Sequence, residues 1–215
     1  MESGSDITTR KYVVTSNLRL NLLESPHQRE FPKCDHCGQG HYWNVVWPPA
    51  LVLSKYLARR GSDIDLNGKS VLVVGCGAGL ESIAAAKMGA AVRVLDHCAE
   101  ALRLTRENCH LNGVANIKTA KCCWLDHEKV GKLRRHDVLI GCEVLYNIGK
   151  KSTLTWLLTS ALKKGGIALF AEPEREGAKD PRTLLDGPLF RIVSTFVQPA
   201  SDGVEVTIYK VQRSD

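Results

Sequence analysis

Three glycines alternate at Gly75, Gly77 and Gly79, directly after the apolar run Val71-Leu-Val-Val74. An acid, Asp96, closes the next apolar run, Ala91-Val-Arg-Val-Leu95. A strand that turns into a helix through such glycines lets backbone approach a ligand closely. A carboxylate at the tip of the following strand can bind both hydroxyls of a ribose. These residues read as the front half of a nucleotide-binding α/β unit. The spacing is G-x-G-x-G rather than the dinucleotide G-x-G-x-x-G, whose third glycine would fall at Leu80. An acid and an aromatic follow later in Glu143-Val-Leu-Tyr146, and an indole in Cys122-Cys-Trp124. Cys34-Asp-His-Cys37 with His41 offers three plausible zinc ligands. The usual second pair is missing, and Cys122 and Cys123 are adjacent, so no metal is expected.

The elements that must position these groups alternate regularly. Strand 71–74 precedes helix 80–88, which Gly89 ends; strand 91–95 precedes helix 99–112, which Gly113 ends. A weak strand spans 117–121. Strand 137–141 is followed by a helix over 152–163, which Gly165-Gly166 ends before strand 167–171. Strands alternating with helices call for a parallel sheet covered on both faces. The last two β-rich runs, 190–197 and 204–211, are joined by the short turn 199–203 and predict an antiparallel hairpin at the sheet edge. Upstream, residues 11–24 alternate moderately and predict short strands outside the main sheet. Pro48-Pro49 marks the start of a helix running to Arg60.

At 215 residues, with 44% hydrophobic and 24% charged side chains, the chain suits one ordinary globular domain with an N-terminal extension. A net charge of +6 is mild, and Lys and Arg are scattered in pairs, so no strong nucleic-acid signature results. No apolar run approaches the ~18 residues of a membrane span, and no leader opens the chain. The eight cysteines then read as reduced thiols of a cytoplasmic or nuclear protein. Nothing in the sequence points to a fixed oligomer, and a monomer is the expectation.

Val46-Trp-Pro-Pro-Ala-Leu-Val-Leu-Ser-Lys-Tyr-Leu57, the glycine turn with Asp96, and Glu143-Val-Leu-Tyr146 stand in one order, with Trp124 between the last two. In that order they resemble the seven-β-strand protein methyltransferases, and among these the lysine methyltransferase branch. The resemblance implies an α/β fold: a Rossmann-like seven-stranded methyltransferase sheet, mostly parallel, with a C-terminal antiparallel β-hairpin. Residues 1–44 would form a short N-terminal β/loop extension and residues 45–215 the methyltransferase domain. It also implies S-adenosyl-L-methionine as cofactor, bound at Trp47, Gly75, Cys76, Gly77, Gly79, Asp96, His97, Trp124 and Glu143. The implied partner is a protein substrate whose lysine amine faces the catalytic pair Glu143 and Tyr146.

The chain departs from that pattern at Val73, where such enzymes carry an acid that reaches the cofactor's amino group. Losing such a charge-assisted contact costs roughly 1 to 3 kcal/mol. A weakly binding enzyme, a compensating acid such as Glu81, or a catalytically silent relative would each follow. The intact Asp96 and Glu143-x-x-Tyr146 favour a working enzyme. Arginine or a small amine is the alternative acceptor, and a nicotinamide-dependent oxidoreductase is disfavoured by the glycine spacing.

Overall fold

The computed structural model describes residues 7–25, 33–34, 42–59, 63–147, 151–175 and 180–214. Strands β1 (Thr8–Val13) and β2 (Arg19–Glu24) form an antiparallel hairpin outside the main sheet, as their alternation predicts. Its turn is closed by the Val14 N–H donating to the Leu18 carbonyl and by the Thr15 hydroxyl oxygen accepting from the Leu18 N–H. Helix α1 (Pro48–Ala58) follows, with Pro in its first turn, where a missing N–H costs nothing.

The remaining strands build one seven-stranded sheet. They are β3 (Ser70–Val74), β4 (Ala91–Asp96), β5 (Lys118–Lys121), β6 (His136–Cys142), β7 (Leu162–Pro173), β8 (Phe190–Pro199) and β9 (Glu205–Arg213). Their spatial order is β5-β4-β3-β6-β7-β9-β8. The first five run parallel, and β9 lies antiparallel to both β7 and β8. Helices α2 (Leu80–Lys87), α3 (Ala99–Leu111), α4 (His127–Gly131), α5 (Lys151–Ala161) and α6 (Arg182–Leu185) complete the fold.

Successive side chains of a strand face opposite sides, and β3 shows the consequence. Val71 and Val73 belong to an apolar cluster with α1, α2 and α3, whereas Leu72 and Val74 belong to a second cluster with α5 and α6. Both faces are covered, which is why β3 reads as an unbroken apolar run rather than an alternating one. Val73 is fully buried, in register with Val94 on one side and Ile140 on the other.

One expectation needs correction. The Gly165-Gly166 pair does not end the preceding helix: α5 stops at Ala161, and β7 begins at once with Leu162. The glycines instead form an irregularity in β7, where pairing jumps from His136–Leu162 to Val138–Ile167. Gly165 has a φ of +68°, and a Cβ on Gly166 would lie 2.8 Å from the Lys163 carbonyl oxygen, so the kink needs both. The short α4 was not foreseen. It is capped by Asp126, whose carboxylate accepts from the Lys129 N–H at 3.1 Å, and His127 stacks on Trp156 with ring centroids 4.1 Å apart.

Candidate active site

In an open parallel sheet, a crevice opens at the carboxyl ends of the strands where successive connections leave for opposite faces. Here that point lies between β3, followed by α2 on one face, and β6, followed by α5 on the other. The glycine turn starts at the end of β3, with the Gly75 N–H donating to the Leu95 carbonyl at 2.9 Å. Gly75, Gly77 and Gly79 all have positive φ (70°, 49° and 87°), a conformation that strains residues with a Cβ. Helix α3 locks the turn from behind. Thr105 donates to the Gly77 carbonyl (3.1 Å), and Asn108 donates to that of Ala78 (2.9 Å).

Asp96 ends β4 beside this turn and is only 5% exposed. One carboxylate oxygen accepts from the Cys98 N–H at 2.9 Å and lies 3.6 Å from His97 Nδ1; the other accepts from the Cys76 thiol at 3.6 Å. Burial and the neighbouring Asp96 charge push that thiol's pKa well up. The N-cap of α3 is Cys98, with no side-chain cap, so Asp96 does not serve there. The Asp96 carbonyl accepts from the Cys122 N–H at 2.9 Å, tying the Trp124 segment to the end of β4. Trp124 is partly buried against the second apolar cluster.

Glu143 follows β6 with a φ of +54°, the single non-glycine residue with positive φ among those described. Such a conformation persists only when its surroundings over-determine it. Its own N–H donates to the Ala171 carbonyl (2.8 Å), and the next two N–H groups, of Val144 and Leu145, donate to Glu172 Oε1 at 2.9 and 3.0 Å. Val144 plugs the corner, because a Cβ on Gly75 or on Gly141 would lie 3.0 or 2.7 Å from its methyls. The Glu143 loop and the glycine turn are thereby held against one another. Burial raises the Glu143 pKa, opposed by an ion pair with Arg175, whose guanidinium also lies 5.0 Å above the Tyr146 ring centroid. Glu143 Oε2 is buried and has no hydrogen-bond partner among the described residues.

The rim is completed by residues 42–47. Trp47 is 40% exposed, not core, and its indole N–H donates to the Tyr42 carbonyl at 2.7 Å. Tyr42 stands edge-on to Trp47, and after burial and Glu143 its proximity helps to raise the Tyr146 pKa, so this segment lies near the Glu143 loop. The buried indole is that of Trp43, whose backbone would lie 3.9 Å from a Cβ on Gly77. The site therefore gathers the glycine turn, Asp96, His97, Glu143, Tyr146 and Trp47, with Trp124 just beyond Asp96.

Sequence reasoning missed Trp43, Arg175 and the supporting role of Glu172. Glu172 and Arg175 share one trace, the stretch Glu172-Pro-Glu-Arg175 at the end of the fifth strand of the main sheet, and Trp43 left none. Of the zinc-type motif, Cys37 and His41 lie outside the described residues, and no cluster of metal ligands occurs among the described ones. Likewise, no helix among them is long and apolar enough to cross a membrane.

Residues 35–181 match a family model described as lysine methyltransferase. The chain belongs to the lysine methyltransferase family. The matched stretch contains every residue of the crevice, and leaves out the β1–β2 hairpin and the β8–β9 hairpin. Among similar proteins, the histone-arginine methyltransferase METTL23 of Mus musculus is 35% identical over 54% of this chain and 45% of its own. The histidine protein methyltransferase 1 homolog of Dictyostelium discoideum is 31% identical over 59% and 41%. The protein N-lysine methyltransferase METTL21A of Xenopus tropicalis is 32% identical over 47% and 47%. The chain spans less than half the length of each of these relatives. In fold it is similar to magnesium protoporphyrin IX methyltransferase of Synechocystis, solved with bound SAM (TM-score 0.58, 19% identity, 77% of this chain and 78% of that one). Acceptors named within this circle of lysine methyltransferase relatives thus include lysine, arginine and histidine.

Proposed function

We propose that the chain is an S-adenosylmethionine-dependent protein methyltransferase that acts on the amine of a lysine side chain. The observation that supports it most is the meeting of two groups at one crevice. A nucleoside-type cradle (the glycine turn and Asp96) adjoins a cation seat (Glu143 and Tyr146) in a chain of this family. In this reading residues 45–215 are the catalytic domain and residues 1–44 an extension, working as a monomer in the cytoplasm or nucleus. Buried free thiols at Cys76, Cys98, Cys109 and Cys122 fit such a reducing compartment.

The residues present fit the cofactor. Left-handed glycines leave room for close approach, Asp96 suits a ribose diol, and the open carboxylate oxygen of Glu143 suits a nearby cation. When bound, S-adenosylmethionine supplies a methyl group on a positively charged sulfur. Trp47 and Trp124 offer aromatic faces to the methionine and adenine ends. Transfer to nitrogen is an in-line displacement, so much of the rate comes from alignment. Glu143 would fix the amine by a charge-assisted hydrogen bond while Tyr146 presents its ring. A lysine amine has a reference pKa of about 10.4 and must lose its proton before attacking. Burial in the crevice lowers that value, whereas Glu143 raises it, so Glu143 positions the amine and the proton leaves to solvent.

An arginine acceptor is the second reading, favoured by one observation. The guanidinium of Arg175 already fits between Glu143 and Tyr146. Incubating the protein and a cell lysate with radiolabelled S-adenosylmethionine, then hydrolysing the labelled proteins to amino acids, tests both. Label in methyl-lysine supports the first reading and label in methyl-arginine the second. No protein label above that of Asp96→Ala would sink both.

A further inference from the structure

Four carboxylates stand at the carboxyl ends of the central strands, and three have partners that account for them. Asp96 accepts from Cys98 and Cys76, Glu172 accepts two backbone N–H groups, and Glu143 pairs with Arg175. The fourth is Glu81, the second residue of α2, which is 2% exposed. Burial pushes its carboxyl up to about 7, and no Lys, Arg or His pairs with it among the described residues. A position in the first turn of a helix favours an acid, but an acid on the surface gains that benefit without being desolvated.

The neighbours of Glu81 locate it. It interacts electrostatically with Cys76 in the glycine turn, with Asp96 at the end of β4 and with Cys142 at the end of β6. Glu81 stands two residues past Gly79 in the first turn of α2, so its buried side chain lies beside the glycine turn at the carboxyl end of β3. None of those three neighbours supplies a positive charge. Val73 lies in β3 beneath the same helix, in one apolar cluster with Ile83 and Ala84 of α2 and Ile140 of β6. A buried acid facing a ligand crevice, with anionic and neutral neighbours, is a seat for a cation that arrives with the ligand.

We propose that Glu81 receives the α-ammonium group of the cofactor's methionine end, from the helix above Val73 rather than from the strand. The assignment rests on the cofactor reading given under Proposed function. It makes Glu81 a binding residue and explains how a chain with an apolar residue at position 73 keeps a charged contact to that end of the ligand.

Two ligands separate the parts. S-adenosylhomocysteine carries the amino-acid end, and methylthioadenosine lacks it while keeping the nucleoside. Calorimetric titration of the wild type and of Glu81→Gln, a near-isosteric change, with both ligands gives the test. The expected result is a loss of tenfold or more in affinity for S-adenosylhomocysteine, with methylthioadenosine binding unchanged within twofold. Unchanged binding of both ligands, or an equal loss for both, would overturn the role of Glu81. A wild type that binds neither ligand would instead overturn the cofactor reading on which the proposal stands.

Discussion

The guanidinium of Arg175 pairs with the carboxylate of Glu143, and the two are set against the ring of Tyr146. In the reading proposed above, an acceptor side chain would enter between this carboxylate and this ring, where the chain's own arginine now sits. Replacing Arg175 with Ala should therefore ease acceptor entry. Methyl incorporation into a diluted lysate should rise several-fold for Arg175→Ala and converge with the wild type at high lysate concentration. A fall at every concentration would mean that Arg175 helps to build the site.

Asn108 of α3 and Asn112, the C-cap of that helix, each grip one residue of β2 by both its N–H and its carbonyl. Asn108 accepts from the Leu23 N–H at 2.7 Å and donates to its carbonyl at 3.1 Å; Asn112 does the same with Asn21 at 3.0 and 2.7 Å. The match is geometric, because four helical residues rise about 6 Å and two strand residues about 6.6 Å. Asn108 is buried and also holds the Ala78 carbonyl, so Asn108→Ala leaves three backbone groups unsatisfied and should cost about 2 to 4 kcal/mol. Asn112→Ala, at a solvent-facing contact, should cost under about 1 kcal/mol. Urea denaturation of both variants checks the contrast.

Gly79 combines a φ of +87° with Thr105, whose methyl would lie 2.9 Å from an added Cβ. Thr105 cannot simply turn aside, since its hydroxyl is committed to the Gly77 carbonyl. Gly79→Ala should cost about 2 to 4 kcal/mol, of which left-handed backbone strain is roughly 1 to 2. Thr105→Ala removes the two closest approaches, leaving its Cβ at 3.3 Å, but not the strain. The double variant should lose less than the sum of the single ones, as measured by denaturation. Strict additivity would deny the contact.

Burial pushes the Glu172 carboxyl up to about 7, in spite of its two N–H donors. Between the usual carboxylate range and that value, the folded chain holds a proton that the unfolded chain has released. Stability therefore falls as pH rises from about 4.5 to 7, by about 3 kcal/mol for this group. Glu81, also raised to about 7, adds a slope of the same sign. Glu172→Gln keeps an oxygen for Val144 and Leu145 and removes the Glu172 titration. Its urea midpoint should change less between pH 5 and pH 8 than that of the wild type. An equal change would contradict the assignment.

Most of the scaffold could be read from local pattern, because strands buried on both faces leave apolar runs and the turns between them leave glycines. Asp96 and the glycine turn were visible for the same reason: both sit where a strand ends. Gly165-Gly166 misled because a glycine pair suits a helix end and a kinked strand equally well, and only the pairing of β6 with β7 decides between them. Trp43 and Trp47 could not be ranked from sequence, since exposure depends on how residues 42–47 lie over the glycine turn. The pairing of Arg175 with Glu143 was also out of reach, because it joins the ends of two neighbouring strands. So was the strained backbone of Glu143, which three hydrogen bonds around the loop enforce.

The central claim is that this crevice binds S-adenosylmethionine through Asp96 and the glycine turn. Calorimetric titration of the purified protein with S-adenosylmethionine and with NAD, repeated on Asp96→Ala, tests it most directly. The account predicts saturable binding of S-adenosylmethionine, at least tenfold weaker in Asp96→Ala, and no binding of NAD. No heat of binding with S-adenosylmethionine at millimolar concentration, or equal affinity in Asp96→Ala, would contradict it.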